Sequence, residues 1–99
     1  MKQTTLYFGT QKANGTHINA YEFQIFLNKN VTLHFSGFTV IEGIGSWKGQ
    51  TEHGYIVTIL HEGVKVTDKL IDQIRKEYTE LFIQESVLRV DIIPENVEF

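Results

Sequence analysis

The sequence predicts an α+β domain of the ferredoxin-like type: a four-stranded antiparallel sheet with two helices packed on one face. Three observations lead there. Two segments carry apolar residues at helical spacing, four short segments are rich in β-branched and aromatic residues, and their order is β-α-β-β-α-β. With 99 residues and a single proline, residues 1–99 form one domain.

Thr4-Thr5-Leu6-Tyr7-Phe8 reads as the first strand, stopped by Gly9. Gln11 to Thr16 is polar and contains Asn14-Gly15, a turn signal. Asn19 opens the first helix, with Glu22 three residues on completing a capping box and Ile18 set to staple Phe23. Ala20, Phe23, Phe26 and Leu27 hold helical spacing, and Asn28-Lys29-Asn30 is expected to end the helix. Phe38 to Ile44 is the second strand and Tyr55 to His61 the third. Between and beside them Gly43, Gly45, Gly49 and Gly54 are four of the eight glycines, which predicts a long, unconventional hairpin connection.

Glu62-Gly63 breaks the third strand, and Thr67 is expected to cap the second helix. Leu70, Ile71, Ile74, Tyr78, Leu81 and Phe82 form its apolar stripe. Val87 to Ile93 is the fourth strand, closed by Pro94, and Val97 to Phe99 could add an edge strand. The third strand is apolar on both sides, with Tyr55, Val57 and Ile59 alternating with Ile56 and Leu60. Tyr7, Ile41 and Val87 are further candidates for a face the helices leave open. A monomer rarely exposes such a patch, so the expected state is a homo-oligomer.

Composition bounds the function. Apolar residues at 41% and charged residues at 21% are globular proportions. A chain this short buries only about 65% of its unfolded surface, which disfavours a deep private pocket. Without cysteine there is no disulfide, thiolate nucleophile or cysteine zinc site. Nine basic against twelve acidic residues leave a net charge of −3, a poor match to nucleic acid or an anionic membrane. No apolar run approaches a membrane span and Met1-Lys2-Gln3 opens no signal peptide, so a soluble cytoplasmic protein is expected. His17, His34, His53 and His61 lie in different segments without metal-site spacing, so no metal is expected.

Two segments could carry chemistry. Gly43 to Glu52 fits neither a Rossmann nor a Walker loop, and reads as a flexible loop bearing Trp47, Lys48 and Glu52. Trp47 either offers its π face to an adenine or a cation, or anchors the loop against the protein. Glu52, just before the third strand, either faces a subunit cleft or is an exposed hairpin carboxylate. Gln84-Glu85-Ser86, after the second helix, either satisfies its terminal carbonyls or grips a polar ligand.

Leu6-Tyr7-Phe8-Gly9, Phe38-Thr39-Val40 with Gly45-x-Trp47-x-Gly49, and Gln84-Glu85-Ser86-Val87 together resemble a family of small bacterial and phage domains, over roughly Leu6 to Asp91. The topology, with a long loop between the second and third strands, also resembles PII-like signalling proteins, trimers that bind nucleotides in clefts between subunits. Among phage proteins the chain is similar to the small PII-like S-adenosylmethionine lyases (SAM hydrolases), which yield methylthioadenosine and homoserine lactone in the host cytoplasm. That resemblance implies a trimer with its active site between subunits, no metal and no added cofactor. It implies Glu52 as the essential acid, with the amino-acid end of the substrate held around Glu85, between Gln84 and Ser86. Tyr7 and Trp47 would offer aromatic faces to the sulfonium. The related lyases carry an aromatic hydroxyl in the second strand where this chain has Ile41.

Two other readings stand beside the lyase: a non-catalytic PII-like nucleotide sensor or phage sponge, and an interaction protein whose oligomer is its function. An anionic nucleotide would ask for more basic residues than Lys48 and Arg89, which favours a cationic ligand.

Overall fold

A computed structural model describes residues 1–12 and 14–99; Ala13, within the polar Gln11–Thr16 stretch, lies outside the described residues. The elements follow the expected order: β1 (Lys2–Gly9), α1 (Ala20–Phe26) continued by a π-helical turn (Leu27–Val31), β2 (Thr39–Trp47), β3 (Gln50–His61), α2 (Lys65–Phe82) and β4 (Leu88–Ile92). The strands pair antiparallel in the order β2-β3-β1-β4. This is the ferredoxin-like arrangement.

Alternation along β1 sorts the sheet into two faces. Thr4, Leu6 and Phe8 are buried, and the pairs Leu6–Val57 and Phe8–Tyr55 put Val57 and Tyr55 on the same face. Residues of both helices join them in one core: Phe23, Phe26, Leu27 and Val31 from the first, Ile71, Ile74 and Tyr78 from the second. Aromatic rings dominate it. Phe8 meets Tyr78 edge-on at 4.7 Å and Phe23 at 5.4 Å, and Phe23 stacks on Tyr55 at 4.3 Å. Tyr78 donates its buried hydroxyl to the Gly9 carbonyl at 2.5 Å, and burial pushes its phenol pKa far up.

The first helix begins as its sequence dictates. Asn19 Oδ1 accepts from Glu22 N at 2.8 Å and Glu22 Oε1 accepts from Asn19 N at 3.2 Å, closing the capping box. Ile18 and Phe23 are both buried in the core. The helix does not end at Asn28-Lys29-Asn30. It widens by one residue, with Thr32 N bonding Leu27 O at 2.9 Å, and so brings Val31 into the core.

The largest correction concerns the second hairpin. β2 runs on to Trp47 and β3 starts at Gln50, so the expected long loop is a two-residue turn. Lys48 and Gly49 both have positive φ, 51° and 77°, the signature of a type I′ turn whose twist matches the strands. β1 pairing ends at Gly9–Gly54, whereas β2 and β3 stay paired from Ile44–His53 to Trp47–Gln50. A two-stranded arm therefore projects from the body, and the molecule measures 41 × 28 × 21 Å.

α2 is capped by Val64 without a side-chain bond, and Thr67 lies inside the helix with its hydroxyl on Val64 O at 2.8 Å. Leu81 is exposed and leaves the stripe. Val87 precedes β4 and is buried in the core, so it does not belong to the open face. Val97–Phe99 forms no strand. No helix among the described residues is long and apolar enough to cross a membrane.

Beneath the N-terminal half of α2, a polar chain replaces the aromatic core. His61 Nδ1 accepts from Gly63 N at 3.1 Å, so Nε2 carries the proton and donates to Thr4 Oγ1 at 2.7 Å. Thr4 donates onward to Asp91 at 2.6 Å. Arg89 binds Asp91, Asp68 and Asp72, and Lys2 also binds Asp68. Burial holds His61 below its ordinary pKa. Hydrogen bonds from Lys2 and Arg89 depress Asp68. Burial pushes Asp91 up, but hydrogen bonds from Thr4 and Arg89 outweigh it and leave that carboxyl lowered too.

These shifts predict acid unfolding in two stages. Unfolding frees His61 to take a proton, so its contribution is full above pH 6.5 and is lost as pH falls through its lower folded value. The carboxylates Asp68 and Asp91 are lost in the same sense below pH 3.8. Urea midpoints measured between pH 7.5 and about 3 should fall in both stages, and His61→Gln should remove only the first.

Candidate functional site

No helix packs on the other face of the sheet, whose Gln3–Leu60 end borders Pro94 to Phe99. On it, Tyr7 pairs with Leu88 on one side and Ile56 on the other, and Ile56 pairs with Ile41. Val90 and Ile92 of β4 share this face, opposite Thr5 and Gln3. Leu88 is 58% exposed, Ile41 55% and Tyr7 41%, so an apolar band meets solvent across all four strands.

One step further toward the arm the side chains stop. Gly9 pairs with Gly54, which pairs with Gly43, a row of bare backbone across β1, β3 and β2. Gly54 is required by packing, because a Cβ there would lie 2.8 Å from the Phe8 carbonyl oxygen. Beyond the row, Glu52 pairs with Gly45, whose own Cβ would meet open space.

Two polar side chains converge on the Gly9 end of this row. A Cβ on Gly9 would lie 3.3 Å from Gln84 Oε1 and 3.7 Å from Glu52 Oε1. Glu52 arrives from β3, inside the strand rather than before it, and is half-buried. Gln84 arrives from the turn after α2, where Ile83 takes a left-handed conformation at φ 54° and Gln84 N bonds Thr79 O. The Gln84 amide nitrogen donates to Gln11 O at 2.6 Å and Phe82 O at 3.4 Å. The expected satisfaction of a helix-terminal carbonyl is thus met by Gln84 through Phe82. None of the ion pairs among the described residues involves Glu52.

The remaining expected site residues are distributed around this point. Tyr7 and Ile41 stand in the apolar row next to the glycines. Trp47, opposite Gln50 beside the turn, lies on the same side of the arm as Glu52 by register, 57% exposed, with Lys48 Nζ 5.7 Å from its ring centre. Glu85 and Ser86 are exposed in the turn after Gln84. Arg89 lies on the opposite, helix-covered face among its three carboxylates. Gly9, Gly43 and Gly54 escape a reading of the sequence as a site, because only pairing aligns them.

Two of the four histidines do come together. His53 Nδ1 and His17 Nδ1 lie 3.0 and 3.5 Å from the buried Thr10 hydroxyl, and His53 Nε2 is 3.2 Å from Glu42. That cluster is on the helix side of the sheet, opposite Glu52. No group of three or more His, Asp or Glu placed to hold a metal occurs among the described residues.

The family model for DUF3574, proteins of unknown function, matches residues 3–99. The chain belongs to that family. It matches none of the curated proteins. Among solved structures it is similar to a phage SAM lyase in complex with S-methyl-5'-thioadenosine, at TM-score 0.63 and 19% identity, over 92% of this chain and 79% of that one. A phage SAM lyase in the apo state aligns at TM-score 0.59 and 17% identity, covering 98% and 92% of the two chains. The de novo designed protein Foldit4 aligns at 0.57 and 13%, covering 95% and 98%. A designed protein aligning nearly as well marks these likenesses as statements about fold.

The glycines of this DUF3574 domain separate by role. Gly54→Ala should cost about 1–3 kcal/mol, the usual range for overpacking, because the obstacle is backbone. Gly45→Ala should stay within about 0.5 kcal/mol of the parent. Thermal denaturation of both variants checks the contrast.

Proposed function

We propose that this protein is an S-adenosylmethionine lyase that assembles as a trimer and works in sites between its subunits. One observation carries the reading: the Glu52 carboxylate stands half-buried beside the open sheet face and forms no ion pair among the described residues. A carboxylate so placed calls for a cation from outside the chain. The fold likeness to phage SAM lyases supports the same substrate.

S-adenosylmethionine is a cation with its own nucleophile. Its carboxylate oxygen attacks Cγ, the Cγ–S bond breaks, and the sulfonium leaves as the neutral thioether of methylthioadenosine. The other product is homoserine lactone. Charges balance without a proton transfer, so no general base, metal or added cofactor takes part. The protein supplies orientation, folding the methionine chain so that its carboxylate reaches Cγ. Glu52 holds the positive end of the substrate, Tyr7 and Trp47 offer aromatic faces, and Gln84, Glu85 and Ser86 form the polar wall. Stripping water from the attacking carboxylate within a subunit cleft helps further.

The alternative, a nucleotide-binding sensor or sponge, draws support from Ile41, which gives the apolar row no hydroxyl. Its basic residues are otherwise engaged: Arg89 is held by three carboxylates and Lys48 lies near the Trp47 ring.

Incubation with S-adenosylmethionine should give methylthioadenosine and homoserine lactone by chromatography and mass spectrometry. Glu52→Gln should lower the rate at least a hundredfold with the fold intact. Intact substrate after long incubation with folded oligomer overturns the lyase. Sedimentation velocity should find a trimer, because the apolar band is too exposed for a stable monomer; a monomer at micromolar concentration overturns the shared site.

A further inference from the structure

β1 and β3 stay paired as far as Gly9 and Gly54, and neither glycine offers a side chain to hold the strands together. The next residues do. Thr10 follows Gly9 on one strand, His53 follows Glu52 on the other, and the two meet on the helix side of the sheet. Thr10 N donates to the His53 carbonyl at 3.2 Å, and Thr10 Oγ1 lies 3.0 Å from both that carbonyl and His53 Nδ1. Thr10 is fully buried, so a bond lost here is not replaced by water.

The proton positions follow from Glu42. Its carboxylate only accepts, so His53 Nε2, 3.2 Å away, carries a proton. In a neutral ring Nδ1 is then an acceptor, and it takes the Thr10 hydroxyl proton because the carbonyl already holds the Thr10 amide. His17 Nδ1, 3.5 Å from the same oxygen, completes the chain as a donor. One buried hydroxyl thus joins the end of β1, the segment after it and the base of the arm. Glu52 stands one residue from His53 and turns to the opposite face. Its Oε1 lies 3.7 Å from the point where a Gly9 side chain would begin. The bonds between Thr10 and His53 therefore fix the backbone on both sides of that approach.

We infer that Thr10 and His53 are positioning residues that hold Glu52 over Gly9 from the opposite face of the sheet. The effect on rate rests on the S-adenosylmethionine reading; the lock between the strands does not.

Hydrogen exchange of residues 44–53 without ligand, and turnover of S-adenosylmethionine, test the two parts. Thr10→Val keeps shape and amide but removes the hydroxyl; it should speed exchange in the arm and lower kcat, each about tenfold. His53→Leu should do the same. His53→Asn, whose amide oxygen can accept the same hydroxyl proton, should come within about threefold of wild type, and this pair decides the matter if Thr10→Val does not fold. In a Glu52→Gln background Thr10→Val should change the residual rate less than about twofold, since nothing is left to position. An equal tenfold loss in both backgrounds would mean a general structural role and overturns the inference, as does unchanged exchange or unchanged kcat in folded Thr10→Val. A wild type that leaves S-adenosylmethionine intact, with exchange quickened in Thr10→Val, removes the lyase reading and supports the lock.

Discussion

The hydrogen bond from Tyr78 to the Gly9 carbonyl joins the two halves of this molecule. On one side of it lies the aromatic core, where Phe8 and Tyr78 meet edge-on and Phe23 and Phe26 close around them. Such contacts are worth about 0.5–1.5 kcal/mol each beyond the area they bury. On the other side lies the end of β1, where the sheet narrows from four strands to a two-stranded arm. A phenol buried this deeply needs a partner, and the carbonyl it bonds is that of Gly9. The packing of α2 thereby sets the backbone over which Glu52 and Gln84 meet.

The two helices cover one face of the sheet, and on the other Tyr7, Leu88 and Ile41 stay exposed. The two ends of the sheet use polarity differently. Under the start of α2, Thr4, His61, Asp91 and Arg89 satisfy one another, a closed network suited to holding structure. At the arm end, Glu52 and the Gln84 oxygen come together over Gly9, and Glu52 forms no ion pair among the described residues. That asymmetry separates the candidate site from the ordinary charge pairs of the surface.

Local signals in the sequence hold where local physics decides the outcome. The Asn19–Glu22 capping box needs only four residues, and it forms as written. The stripe on α2 holds at Ile71, Ile74 and Tyr78. The local pattern gives way where a tertiary contact overrides it. Asn28-Lys29-Asn30 looks like a helix end, but burying Val31 favours one more widened turn. Lys48-Gly49 is a weak I′ turn signal beside Asn-Gly, and four glycines nearby suggested a loop; cross-strand pairing from Gly43 to Gln50 makes it a ribbon instead.

By itself, the sequence determined the order of elements, the apolar stripe of α2, an open apolar sheet face and the candidate polar residues, because each follows from period, composition or a short motif. Only the tertiary structure decided register and turn geometry. Register aligned Gly9, Gly54 and Gly43 and put Glu52 on the open face, and packing sent Val87 into the core. The left-handed turn at Ile83 brought Gln84 to Gly9, seventy-five positions away in the chain. Such encounters depend on how strands slide against one another, and a shift of one residue exchanges the faces of a whole strand.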